Sequence, residues 1–120
     1  LIGFVPTMGY LHDGHRSLMR RAADECGVTI ASIFVNPLQF APTEDLDRYP
    51  RNLDGDLAMA RDEGIDFVFA PSVREMYPTP MQTSVQVAGV SSTLEGESRP
   101  THFAGVATPR HSVPCGRFRR

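Results

Sequence analysis

The sequence contains no lysine; all 12 of its basic residues are arginines. Lysine is a common partner of phosphate groups, so its absence bears on any phosphate chemistry assigned to these residues. Against the arginines stand 14 acidic residues, for a formal charge of -2 and a pI near 6.1. That balance offers no general attraction to nucleic acid or to an anionic membrane surface, and no basic cluster precedes the last dozen residues. Neither nucleic acid nor membrane is expected as a partner. Cysteine is scarce as well. Cys26 and Cys115 make no disulfide framework, and Cys26, placed where a helix should end, is expected to act as a small buried hydrophobe. No apolar run approaches the roughly 18–20 residues that span a bilayer. The opening Leu1-Ile2-Gly3-Phe4-Val5-Pro6 lacks the basic flank of a signal peptide. It starts inside an apolar run, so sequence upstream of Leu1 is expected, and the location expected is cytoplasmic.

What is present suits one globular domain: 120 residues, 41% hydrophobic and 22% charged. Leu1 to Val5, closed by Pro6, reads as a buried strand. From His15 to Cys26, Leu18, Met19, Ala22 and Ala23 recur at helical spacing, with Gly27 as the stop. Val28 to Val35 is a second buried strand, ended by Asn36-Pro37. A loop runs from Leu38 to about Asn52. Leu53, Leu57, Ala60 and Ile65 then mark a helix ended by Gly64, and Asp66 to Ala70 a third strand before Pro71. Alternating strands and helices at this spacing predict parallel βαβ units in an α/β, Rossmann-like open sheet. Beyond Pro71 the pattern loosens. Thr83 to Val87 reads as an edge strand, Val90 to Leu94 as a helical turn, and His102 to Thr108 as the start of another helix. No repeat or low-complexity tract occurs.

Ligands of an open parallel sheet bind beyond the carboxyl ends of the strands, and the unusual residues of this chain sit there. The first strand leads into Pro6 to His15, the second into Phe34 to Phe40. With His15 on the first helical turn and His12 in the preceding loop, both imidazoles reach a helix N-terminus. Its free backbone N–H groups and partial positive charge suit phosphate. Gly14 leaves room for a nucleotide near the backbone. Two imidazole donors there would stabilise a pentacoordinate α-phosphate and departing pyrophosphate. The alternatives are a pair of surface or capping histidines, and a zinc pair, which neither cysteine has the spacing to complete.

His12-Asp13-Gly14-His15 resembles the HxGH signature of the nucleotidyltransferase superfamily, shared with class I aminoacyl-tRNA synthetases. The longer run Pro6-Thr7-Met8-Gly9-Tyr10-Leu11-His12-Asp13-Gly14-His15 is similar to the PTMGxLHxGH of the pantothenate synthetase family. Phe34-Val35-Asn36-Pro37-Leu38-Gln39-Phe40 resembles that family's FVNPxQF. Asp45 with Arg48-Tyr49-Pro50-Arg51, Met76-Tyr77-Pro78, and Leu94-Glu95-Gly96 with Arg99-Pro100-Thr101-His102-Phe103 follow in family order. The resemblance covers Leu1 to Thr108 and implies an open sheet of the nucleotidyltransferase type. It implies ATP binding by Met8, Gly9, Tyr10, Leu11, His12, Asp13, Gly14 and His15, with His15 the general acid and His12 its partner on the phosphates. Gln39 would hydrogen-bond pantoate and border the β-alanine site, and Asn36, Arg99 and His102 would belong to the substrate pocket. Asn36 before Pro37 also fits a plain turn, and Glu95 an ordinary helix end.

The reaction implied joins pantoate and β-alanine through pantoyl adenylate, with ATP as substrate, Mg2+ as cofactor, and a homodimer as the complete enzyme. Family members carry neighbouring carboxylates where this chain has Asp54-Gly55-Asp56. Asp56 could serve magnesium, or be a solvated carboxylate at a helix N-terminus. After Thr108 the likeness stops. The family continues through a helix and strand to a GEKD-type segment with a catalytic lysine. Here Pro109 to Arg120 is proline- and arginine-rich and reads as a shifted or non-native ending. A partial N-terminal domain over residues 1–108, without the family's C-terminal domain, is therefore expected. The rival readings are another HxGH nucleotidyltransferase and an inactive nucleotide-binding fragment.

Overall fold

A computed structural model describes residues 1–80. They fall into two compact units, one of residues 1–35 with 50–71, the other of residues 36–49 with those from Ser72 onward. The elements expected further along, at Thr83 to Val87, Val90 to Leu94 and His102 to Thr108, lie outside the described residues, as do Cys115 and the ending after Thr108.

The first unit holds a parallel sheet in the order β1-β2-β3. Strand β1 is Ile2–Thr7, β2 is Val28–Ile33 and β3 is Phe67–Phe69, joined by helices α1 (Asp13–Glu25) and α2 (Leu53–Asp62). Register runs from Ile2 opposite Val28 to Thr7 opposite Ile33, and from Ile30 opposite Phe67 to Ser32 opposite Phe69. The carboxyl ends of β1 and β2 are therefore side by side, where an open parallel sheet offers ligands its amides and side chains.

Strand β1 differs from the buried strand expected. It continues through Pro6 to Thr7, and its residues alternate between exposed and buried. Gly3, Val5 and Thr7 point inward, while Ile2 and Phe4 stay 66% and 45% exposed. Among the described strands β1 pairs only with β2, and an edge strand tolerates Pro6, which has no N–H. Strand β2, between two neighbours, is buried from Thr29 to Ser32. It ends at Ile33, with the Phe34 amide still donating to the Thr7 carbonyl of β1 at 3.1 Å.

The core is Val5, Met19, Ala31 and Ala60, with Leu11, Ala22, Ile65 and Val68 packed against it. Cys26, expected to be buried, is half-buried and caps the end of α1 through its N–H to the Ala22 carbonyl. Helices α1 and α2 are tied by charge. Arg20 grips Glu63 through Nε at 3.0 Å and a second nitrogen at 3.2 Å. Arg16 Nε lies 2.9 Å from the same carboxylate, close enough for charge attraction but not aligned as a hydrogen bond. Glu63 caps the C-terminus of α2, where the helix dipole disfavours a carboxylate; two guanidinium groups offset that. Asp66 secures the entry of β3, its Oδ2 accepting from the Thr29 amide at 2.8 Å and the Thr29 hydroxyl at 3.0 Å.

Met19 is fully buried where α1 meets the sheet, whereas Leu18 beside it is 56% exposed. Met19→Ala should cost about 2–5 kcal/mol, and Leu18→Ala no more than about 0.5 kcal/mol. Urea denaturation compares them, and equal losses would refute this core.

Candidate functional site

Between β1 and α1 the chain makes a turn that few sequences accept. Gly9 has φ +81° and Tyr10 φ 51°, two consecutive left-handed residues. A tyrosine held there costs about 1–3 kcal/mol. The turn is held from both ends. Thr7 Oγ1 donates to the Ser32 carbonyl at 2.8 Å and accepts from the Gly9 amide at 3.2 Å. Asp56 takes the next two amides, Tyr10 N–H to Oδ2 at 2.9 Å and Leu11 N–H to Oδ1 at 2.8 Å. Hydrogen bonds to a carboxylate contribute about 1.5–3 kcal/mol each, enough to offset the strain. A Cβ at Gly9 would lie 3.0 Å from Asp56 Oδ2 and 3.1 Å from Ile33 Cγ2, so glycine is required for space as well as for φ.

Asp56 is thus not a solvated carboxylate. It is 4% exposed in the first turn of α2, a helix capped by the Asn52 side chain on the Gly55 amide. The helix dipole favours its charge, and both its oxygens are engaged by the loop. Its partner Tyr10 is 46 residues away. No local pattern joins the two, which is why sequence reasoning missed the contact.

The two histidines form the start of α1. His12 is the N-cap and His15 the third helical residue, so α1 begins at Asp13, two residues before the start expected. Gly14 N–H donates to His12 Nδ1 at 3.1 Å, and His12 N–H donates to His15 Nδ1 at 3.2 Å. This is a reciprocal capping box built from imidazoles in place of hydroxyl and carboxylate. The ring centroids are 4.1 Å apart. A nitrogen that accepts cannot carry the proton, so each neutral ring has its hydrogen on Nε2. The result is a pair of adjacent N–H donors.

Two expectations change as a consequence. Not every backbone N–H group there is free: those of Gly9, Tyr10 and Leu11 in the loop, and of His12 and Gly14 at the helix start, have partners within the chain. The space over Gly14 is taken by His12, whose Cε1 would stand 2.8 Å from a Cβ there. Gly14 makes room for the imidazole that caps its own amide. Met8 is half-buried, Asp13 is an exposed acidic residue in the first turn, and the Leu11 side chain packs on the core.

In the second unit Asn36 is 1% exposed. Its Oδ1 accepts from the Leu38 amide at 3.1 Å and the Tyr77 hydroxyl at 2.9 Å. It thereby caps the 3-10 turn Pro37–Gln39, whose last amide returns to the Asn36 carbonyl at 3.1 Å. Burial raises the Tyr77 hydroxyl above its ordinary pKa. Asn36 shapes the turn that presents the half-buried Gln39. Asp45 and Arg48 serve structure too, with Asp45 capping the turn Leu46–Arg48 and pairing with Arg48 at 2.9 Å. Arg99 and His102 lie outside the described residues. Among the described residues no group of three or more His, Cys, Asp or Glu is placed to hold a metal ion. No helix among them is long and apolar enough to cross a membrane.

A histidine pair at the start of the first crossover helix, beyond the carboxyl end of the first strand of a parallel sheet, defines an α/β domain of the nucleotidyltransferase type. The family model described as pantoate-beta-alanine ligase matches residues 1–109. The chain is 61% identical over 107 residues to the pantothenate synthetase of Deinococcus radiodurans, covering 89% of this chain and 38% of that protein. The Brucella ovis pantothenate synthetase is likewise 61% identical, with 36% of it covered. A crystal structure of the Thermus thermophilus enzyme superposes with a TM-score of 0.87 at 53% identity, over 92% of this chain and 40% of that one. The Francisella tularensis pantoate-beta-alanine ligase, described as complexed with beta-gamma ATP and beta-alanine, superposes at 0.86 with 42% identity, over 92% of this chain and 43% of that one. The chain belongs to the pantoate–β-alanine ligase family, and it spans less than two fifths of the length of these curated relatives.

Burial, and then the neighbouring His12, hold the His15 pKa below its ordinary 6.5, against an opposing pull from Asp56. The unfolded chain therefore takes up this proton before the folded one does. His15's contribution to stability is complete above about pH 6.5 and is lost as pH falls from there through the lowered value. Proton NMR should place the His15 titration midpoint below 6.5, with denaturation midpoints falling over the same interval. A midpoint at or above 6.5 would contradict the capping geometry, since a protonated Nδ1 cannot accept.

Proposed function

We propose that this chain carries the ATP-handling part of a ligase that condenses pantoate with β-alanine. A pantoate carboxylate oxygen attacks the α-phosphorus of ATP, the bond to pyrophosphate breaks, and pantoyl adenylate remains. The amine of β-alanine then attacks the acyl carbon, loses a proton, and displaces AMP to give pantothenate. The observation that carries this reading is the imidazole capping box. Each ring is tied through Nδ1, so each has one Nε2–H to give.

The same geometry favours hydrogen-bond donation over full proton transfer. His15 is kept neutral, and a neutral imidazole that surrendered its Nε2 proton would become an anion. Its role is to donate to charge accumulating on the phosphates as pyrophosphate departs, an effect that positioning and dipole make strong. His12 does the same beside it. With the amides of Gly9, Tyr10, Leu11, His12 and Gly14 engaged internally, the two imidazoles are the donors this loop offers to the nucleotide. Met8 through His15 form the ATP loop by setting these two rings. Gln39 offers an amide that both donates and accepts, suited to the hydroxyl and carboxylate of pantoate, with Arg99 and His102 as further substrate contacts. Nucleotide and β-alanine in the Francisella tularensis ligase, 42% identical, support the substrate assignment. Among the described residues no group of three or more His, Cys, Asp or Glu is placed to hold a metal ion, and each Asp56 oxygen already accepts a loop amide; we infer that the metal comes with the nucleotide phosphates. For the complete enzyme, the family resemblance supports a homodimer and a cytoplasmic location. With no lysine in these 120 residues, they are inferred to be inactive by themselves.

In the complete enzyme, His15→Ala should lower pantoate-dependent pyrophosphate release by roughly 10²–10³-fold, the usual loss for one aligned donor. Quenched flow measures it, and near-normal release would remove His15 from the mechanism. Gln39→Ala should weaken pantoate by about 1–3 kcal/mol and spare ATP. Calorimetry with each ligand checks this, and equal weakening of both would overturn the assignment. Binding of ATP without any pantoate-dependent pyrophosphate release would favour a nucleotide-binding role without catalysis.

A further inference from the structure

Asp56 has so far entered only as a tie that holds the strained turn. It is the buried carboxylate of the described residues, 4% exposed, and it faces the phosphate loop rather than solvent. Its two oxygens each take one amide, from Tyr10 at 2.9 Å and Leu11 at 2.8 Å. Those amides belong to the second residue of the left-handed pair Gly9 and Tyr10 and to the residue after it, just before His12. Released from Asp56, Tyr10 would relax toward negative φ. The next residue to move would be His12, whose ring position over Gly14 makes the cap and whose amide orients His15.

We propose that Asp56 is the positioning residue of the ATP-phosphate loop: by taking the Tyr10 and Leu11 amides it sets the turn that delivers the two imidazoles to the nucleotide. It touches neither nucleotide nor metal. An amide side chain cannot replace it, because an NH2 would oppose one of the two N–H donors. A longer glutamate would drive its carboxylate into the Gly9 backbone, where Oδ2 already sits 3.0 Å from a Cβ position. Asp54 lies in the same helical turn, exposed, and supplies the same dipole complement without touching the loop. The inference rests on the nucleotide reading for its ligand, but the contact itself is independent of it.

The test uses the complete enzyme that carries these residues. In the wild type, NMR couplings across hydrogen bonds should connect the Tyr10 and Leu11 amide nitrogens to the Asp56 side-chain carboxyl carbon. Their absence would overturn the proposal whatever the variants do, so a variant that fails to fold does not shelter it. In Asp56→Asn, hydrogen exchange at Tyr10 and Leu11 should rise about tenfold while Ala31 and Ser32 in β2 stay protected, and the Kd for ATP should rise about tenfold. The increase should be the same with EDTA as with magnesium, Asp56→Glu should not rescue it, and Asp54→Asn should show neither effect. Weakening confined to magnesium-containing buffer would make Asp56 a metal ligand and sink the proposal. Unchanged ATP affinity despite faster exchange would sink it as well. A complete wild-type enzyme that binds no ATP would instead defeat the nucleotide reading, leaving the couplings to decide whether Asp56 holds the loop.

Discussion

Two hydrogen bonds from the Tyr10 and Leu11 amides to the Asp56 carboxylate tie the exit of the first strand to the first turn of the second helix. The strained turn they hold determines where His12 and Gly14 stand. Those in turn determine which nitrogen of each imidazole bears a proton. A carboxylate can do this from a buried site because it is matched three ways: by two donors, by a helix N-terminus, and by the absence of a side chain at Gly9. Loss of either donor would leave the buried carboxylate short of a partner, at a cost in stability.

The histidine pair shows how a structural motif and a chemical one can be the same residues. Capping consumes Nδ1 of each ring and two of the orphan amides at the helix start. Chemistry requires only the other face of the rings. The capping reading and the phosphate-handling reading, opposed when only the sequence is considered, are therefore compatible. Order in the rings comes from the cap, and a donor locked in orientation needs little reorganisation when charge develops. The lowered proton affinity of His15 fits the same design, since a cationic ring would lose the acceptor that holds it.

Much of the fold was legible because each element carries its own signal. The apolar runs, the helical spacing of Met19 and Ala22, and the stops at Gly27, Asn36-Pro37 and Gly64 depend on neighbours only a few residues away. The spacing of His12 and His15 is also a capping-box spacing, N-cap to third helical residue. Histidine is not among the residues that usually cap, so the sequence places the start of α1 too late. Asn36 fits both a turn and a pocket residue, and the bond from Tyr77 to its side chain, with a partner 41 residues on, is what gives the turn its depth.

The sequence by itself determined the order of strands and helices, the parallel α/β class, the loop bearing the histidines, and the family, because periodicity and short motifs are local properties of the chain. Tertiary structure alone decided that Asp56 is buried and belongs to the loop, that β1 has an exposed face, and that both imidazoles present Nε2–H. Each of those depends on which residues from distant parts of the chain share a volume from which water is excluded. Hydrogen-bond partners and burial are settled only by that packing.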